Sequence, residues 1–155
     1  MDRDVNVLVL QIGSNDLADV HLSASNYVQR LIAYVNHLLC TSNVMYVHVM
    51  EVLHRQQPRR QPRNRRQRHV MHMSFDEYNA KVDEAMRLVR ERGVPVWQGR
   101  ALYERHEKRL HTPQLLSNDG VHLTPHGVQL YWRSIRGVIL RHLDQLPNGT
   151  SLGGL

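Results

Sequence analysis

Residues 5–16, VNVLVLQIGSND, run from an apolar stretch straight into a turn of glycine, hydroxyl, amide and carboxylate. Val5–Gln11 shows little polar alternation, the pattern of a parallel strand covered on both faces rather than of a half-exposed one. Gly13-Ser14-Asn15-Asp16 therefore stands at the carboxyl end of a strand, where the ligand crevice of an open α/β sheet lies.

The pattern that follows supports such a sheet. Val28, Leu31, Ile32, Val35, Leu38 and Leu39 recur at helical spacing, with Ser23 or Ser25 available to cap the helix. Val44–Val49 is rich in β-branched and aromatic residues and reads as the second strand. Ser74-Phe75-Asp76-Glu77 has the form of a capping box. Phe75, Tyr78, Val82, Ala85, Met86 and Val89 follow it as one apolar helical face, and Gly93 is placed for a left-handed C-terminal cap. Val94–Trp97 predicts a short third strand, which Pro95 consigns to an edge. Thr124-Pro125 opens a last helix as N-cap and first-turn proline, with Val128, Tyr131, Trp132, Ile135, Val138 and Ile139 as its apolar face. Trp97, Tyr131 and Trp132 are expected in the core or on a pocket wall. Strands alternating with helices predict parallel βαβ units with right-handed crossovers.

At 155 residues the chain is the length of one domain, enough to bury about two thirds of its surface on folding. No apolar run approaches the roughly 20 residues that span a bilayer. The start, Met1-Asp2-Arg3-Asp4, lacks the features of a signal peptide, so a cytoplasmic location is the default expectation. Cys40 is the only cysteine, which rules out an intrachain disulfide, and a buried helix position is its expected place.

The net charge of +6 is local rather than general. Segment 55–69, RQQPRRQPRNRRQRH, holds seven arginines and no acid, and removing those seven charges takes the balance from +6 to −1. Its prolines and lack of apolar residues predict a solvated, disordered insertion. Nucleic-acid binding through Arg55–Arg68 is the competing functional class, since arginines neutralise phosphates. No aromatic side chains are interleaved for base stacking, so the plain insertion is favoured. Segment 146–155 reads as a flexible tail. His69 with His72, and His122 with His126, have metal-site spacing, but no cysteine or carboxylate set completes a shell, and neither metal nor cofactor is expected.

A second polar cluster, Asn118-Asp119-Gly120-Val121-His122-Leu123-Thr124, precedes the last helix. In Asp119-x-x-His122 the carboxylate can engage one ring nitrogen and leave the other as a base, which is two thirds of a hydrolytic triad. The Gly13-Ser14-Asn15-Asp16 turn and the Asp119-Gly120-Val121-His122 loop, with the run DGVHLTPHG from Asp119 to Gly127, resemble the third and fifth conserved blocks of the SGNH/GDSL hydrolase superfamily. The resemblance covers residues 5–143. It implies an α/β fold of flavodoxin-like, three-layer αβα form with a parallel sheet in the order 2-1-3-4-5, here without its first strands. Residues 1–145 would form the partial domain.

The resemblance also implies roles. Asn15 would donate to the oxyanion, His122 would be the general base, Asp119 would orient it, Gly13 would permit the turn, and Asp16 would tie the turn together through nearby amides. The family's nucleophilic serine lies in a Gly-Asp-Ser block upstream of the Gly-x-Asn-Asp turn, and no Gly-Asp-Ser occurs in this sequence. Ser14, beside Asn15, and Ser117, on the loop of the base, are the serines near the motifs. Neither is expected to replace the nucleophile, with Ser14 the only candidate worth naming. The chain is accordingly expected to be the carboxy-terminal part of an esterase or lipase domain, inactive alone and acting on a small ester once completed. Without the preceding strands, Val5–Gln11 becomes an exposed apolar edge through which the chain would self-associate.

Overall fold

A computed structural model describes residues 6–56, 73–97 and 115–144. The elements in chain order are β1 (Asn6–Leu10), α1 (Ala24–Thr41), β2 (Val44–Met50), α2 (Phe75–Glu91), β3 (Val96–Trp97) and α3 (Pro125–Asp144). The strands form one parallel sheet in the order β1-β2-β3. Leu8 pairs with Val47 and Leu10 with Val49 across the first ladder, and Val49 pairs with Val96 across the second. Parallel pairing requires a long crossover, which α1 supplies between β1 and β2 and α2 between β2 and β3.

Because successive strand residues point to opposite faces, each strand feeds two cores. Leu8, Leu10, Val47, Val49 and Val96 pack with Val28, Leu31 and Val35 of α1 and with Tyr78, Val82, Ala85, Met86 and Val89 of α2. Val9, Met50 and Trp97 face the other way, onto Leu115, Leu116 and Leu123 of the preceding loop and Leu130, Tyr131 and Ile135 of α3. Helices thus cover both faces in an α/β/α arrangement, as the sequence predicts.

The helix ends follow their local signals. Ser23, not Ser25, caps α1, accepting from the Asn26 amide at 3.1 Å. The capping box of α2 is complete, with Ser74 accepting from the Glu77 amide at 3.2 Å and Glu77 accepting from the Ser74 amide at 2.8 Å. Gly93 takes a φ of 78° just past the helix, as a left-handed cap requires.

Some expectations are corrected. The third strand shrinks to Val96–Trp97, although the Pro95 carbonyl still accepts from the Val49 amide at 3.0 Å. Cys40 is exposed rather than buried, lying on the outer side of α1. On α3, Tyr131 is buried, but Val128 and Trp132 are 53% and 61% exposed. Among the described residues Leu130, Tyr131 and Ile135 of α3 pack on the Met50 side of the sheet, whereas Val128 and Trp132 do not, so Trp132 is not a core residue. The Val138 side chain, His69, His72, Arg59 to Arg68 and the 146–155 tail lie outside the described residues. None of the described helices is long and apolar enough to cross a membrane.

Candidate active site

All three strands run toward one edge of the sheet, and the polar loops follow at that edge. The turn after β1 is closed by main-chain bonds: Leu17 N–H donates to Gly13 O at 2.8 Å, Ala18 to Asn15 O at 3.1 Å and Asp19 to Asp16 O at 3.1 Å. Gly13 has a φ of 107°, and a Cβ there would lie 2.3 Å from the hydroxyl of Tyr27. That hydroxyl donates to the Ile12 carbonyl at 3.1 Å. Burial, with the nearby charge of Asp16 and then Tyr78, pushes the Tyr27 phenol up to about 12. Asn15 and Asp16 are exposed. The bond that Asp16 makes in this turn is at its main-chain carbonyl, which accepts from the Asp19 amide.

The second loop is built on its aspartate. Asp119 Oδ1 accepts from the amides of Val121 at 2.9 Å and His122 at 3.0 Å, and Oδ2 lies 2.6 Å from His122 Nδ1. Partial burial works against the charge of Asp119, but the His122 ring and the two amides outweigh it and hold the carboxyl below its usual range. The His122 side chain is 79% exposed, so the rest of its ring is accessible. Gly120, at a φ of 72°, makes the turn that brings carboxylate and imidazole together. The loop closes on itself through Ser117 N–H to His122 O at 2.7 Å and the Leu116–Leu123 bridge. Thr124 Oγ1 caps α3 by accepting from the Gly127 amide at 3.1 Å. Gly127 is required by close approach, since a Cβ there would meet Leu115 O at 2.4 Å.

Both serines near the motifs have hydrogen-bond partners of their own. Ser14 Oγ lies 3.2 Å from the Tyr78 hydroxyl and accepts from Arg55 Nη2 at 3.0 Å. Ser117 Oγ donates to Leu123 O at 3.5 Å.

Arg55 is the largest correction. Its place in a solvated insertion is wrong: it is 6% exposed, with its guanidinium 4.3 Å above the Tyr78 ring. The neighbouring His54 ring contacts Asp83 at 3.1 Å, and the Arg55 amide donates to Asn79 Oδ1 at 2.8 Å. The aromatic ring on which Arg55 stacks comes from α2, across space. A signal was present in Asn79 and Asp83, polar residues one helical turn apart beside the apolar pair Tyr78 and Val82. Gln56 then donates its amide to Gly120 O at 2.9 Å, so the segment after β2 reaches both motif loops.

An open groove of about 590 Å³ lies at the opposite end of the sheet, lined by residues including Val35, Leu39, Met45, His48 and Pro95, away from the Asp119–His122 pair. Among the described residues no group of three metal-ligating side chains occurs.

No model of a known protein family matches the chain, nor does any curated protein. Solved structures do. A GDSL-like lipase from Bacteroides thetaiotaomicron superposes with a TM-score of 0.62 at 16% identity, over 88% of this chain and 62% of its own. This chain has the fold of the GDSL-like hydrolases. A carbohydrate acetylesterase family member from Sinorhizobium meliloti (TM-score 0.59, 17% identity) and a lipase/acylhydrolase from Enterococcus faecalis (0.57, 17%) also superpose on this chain. They are covered over 63% and 65% of their lengths, against 91% and 94% of this chain. The chain thus spans less than two thirds of the length of each of these structures.

Proposed function

We propose that the chain carries the oxyanion amide and the base of an SGNH/GDSL-type serine hydrolase site for carboxylic esters, with the nucleophilic serine supplied from outside these residues. The chain by itself is then inactive. The observation that carries this reading is the Asp119–His122 pair, an accessible imidazole held at Nδ1 by a carboxylate at the carboxyl edge of a GDSL-like sheet. With Nδ1 protonated toward Asp119, Nε2 takes the proton of the serine hydroxyl, and Asp119 balances the imidazolium that results. Asn15 donates its side-chain amide to the oxyanion of the tetrahedral intermediate, a contact worth about 10²–10³ in rate in comparable sites. Gly13 and the Asp16 carbonyl support the turn that presents Asn15. The engagement of Ser14 by Arg55 and Tyr78, and of Ser117 by Leu123, supports a nucleophile from elsewhere. The substrate is a small ester, and the chemistry needs no cofactor.

The test is nitrophenyl acetate hydrolysis by the chain alone and by the chain extended with a Gly-Asp-Ser segment from its own upstream reading frame, each beside His122→Ala. The extended protein is expected to turn over and to lose at least about a thousand-fold in kcat on His122→Ala, while the chain alone shows no His122-dependent rate. Equal rates for the extended protein and its His122→Ala variant, or an upstream frame with no such block, overturn the reading.

A further inference from the structure

We propose that Arg55 is the positioning residue that sets the Gly13–Asp16 turn against the Asp119–His122 loop, a role that rests on reading Asn15 and His122 as parts of one site. Arg55 lies just beyond the carboxyl end of β2 and is held by α2 on one side and by Ser14 on the other. Asn79 grips its main chain twice, accepting from the Arg55 amide at 2.8 Å and donating to the Arg55 carbonyl at 2.9 Å. The guanidinium stacks on Tyr78, itself fully buried, at 4.3 Å. Burying a cation is costly unless hydrogen bonds compensate, and the rigid, planar guanidinium aims its donors in fixed directions.

What those donors hold is specific. Arg55 Nη2 lies 2.7 Å from Ser14 O and 3.0 Å from Ser14 Oγ. Ser14 O belongs to the peptide plane that leads into Asn15, so the bond fixes the plane from which the Asn15 side chain departs. Asn15 is exposed, and its direction depends on that main chain. The next residue does the same at the other loop. Gln56 N–H donates to Gly120 O at 2.9 Å. The nitrogen of that same Gly120–Val121 peptide carries the N–H bound to Asp119 Oδ1 at 2.9 Å. One peptide plane therefore links Gln56 to the carboxylate that holds His122.

Residues 55 and 56 are consecutive, so their Cα atoms are about 3.8 Å apart. Two neighbouring residues, anchored to α2 through Asn79 and Tyr78, thus tie the proposed oxyanion donor and the proposed base to one rigid support. Sites of this kind need their groups held to about half an ångström.

The test is ¹⁵N relaxation on the full chain and on its Arg55→Met and Arg55→Lys variants, with kinetics of the same substitutions in the extended protein. In the parent the amides of Asn15 and Val121 are expected near an order parameter of about 0.85, falling below about 0.6 in Arg55→Met. The amides of Val82 and Met86 stay unchanged. Arg55→Lys, which keeps the charge and loses the fork and the stack, falls between. In the extended protein kcat drops at least about tenfold with KM within about twofold. Unchanged order at Asn15 and Val121, or equal loosening at Val82 and Met86, overturns the proposal. Should the methionine variant fail to fold, an Arg55→Lys chain as ordered as the parent at those amides overturns it equally. An extended parent with no esterase activity sinks the hydrolase reading, while the relaxation data still decide the positioning role.

Discussion

Gly13→Ala tests the turn on which the proposed oxyanion donor is mounted. Gly13 sits at a φ of 107°, where an L-residue is strained by about 1–2 kcal/mol. The added methyl would also lie 2.3 Å from the Tyr27 hydroxyl and 2.6 Å from both Cε2 and Cζ of its ring. The ring cannot swing aside at small cost, because Tyr27 is only 4% exposed and its hydroxyl is bound to Ile12 O at 3.1 Å. Overpacking of this kind costs about 1–3 kcal/mol, and loss of the tyrosine's hydrogen bond about 1 kcal/mol. The expected destabilisation is therefore about 3–6 kcal/mol, a large share of the roughly 5–15 kcal/mol that holds a domain together. Urea unfolding followed by circular dichroism measures it, and a double-mutant cycle with Tyr27→Ala separates its parts. In the Tyr27→Ala background the clash and the hydrogen bond are already gone, so only the backbone strain of about 1–2 kcal/mol is expected to remain. A cost below about 1 kcal/mol for Gly13→Ala, or the same cost in both backgrounds, would refute the packing argument.

Gly127→Ala places a methyl 2.4 Å from the main-chain oxygen of Leu115, which cannot rotate away. It is expected to lower the melting temperature and to shift the amide resonances of residues 115–124, and a chain with parental melting and spectrum would contradict that contact. Because the Asp119 carboxyl is held below its usual value, the charged form favours the folded state. That contribution is fully present above an ordinary aspartate pKa of about 3.9 and is lost as pH falls through the lower folded value. Carboxyl ¹³C shifts are expected to show a midpoint for Asp119 below that of an exposed aspartate, and a midpoint above it would remove the proposed grip of His122 and the two amides. β1 pairs only with β2 among the described strands, and an unpaired edge templates association. The chain alone is expected to self-associate in sedimentation, and a monodisperse monomer at all concentrations would count against it.

Much of the architecture was legible because its signals are local. The capping box at Ser74, the cap glycine at Gly93 and the Thr124-Pro125 start each act within one helical turn, and each stands where its residues say. The Asp119–His122 contact belongs with them, since three residues of spacing and a glycine at position 120 bring the two side chains together. Cys40 and the Val128–Trp132 row were misread for the opposite reason. Periodicity marks the apolar face of a helix, but the neighbour present to cover it decides burial. Arg55 is the sharpest instance. By composition it belongs with six other arginines, and in space it lies beneath a turn 41 residues earlier in the chain. Residue order thus determined the parallel α/β succession, the glycine turn at Gly13 and the histidine–aspartate pair. Tertiary structure decided that Arg55 is buried, what the two serines bond to, and that residues 55 and 56 join the two polar loops. Such contacts join segments tens of residues apart, and their energy appears only when α2, β2 and both loops have closed on one another.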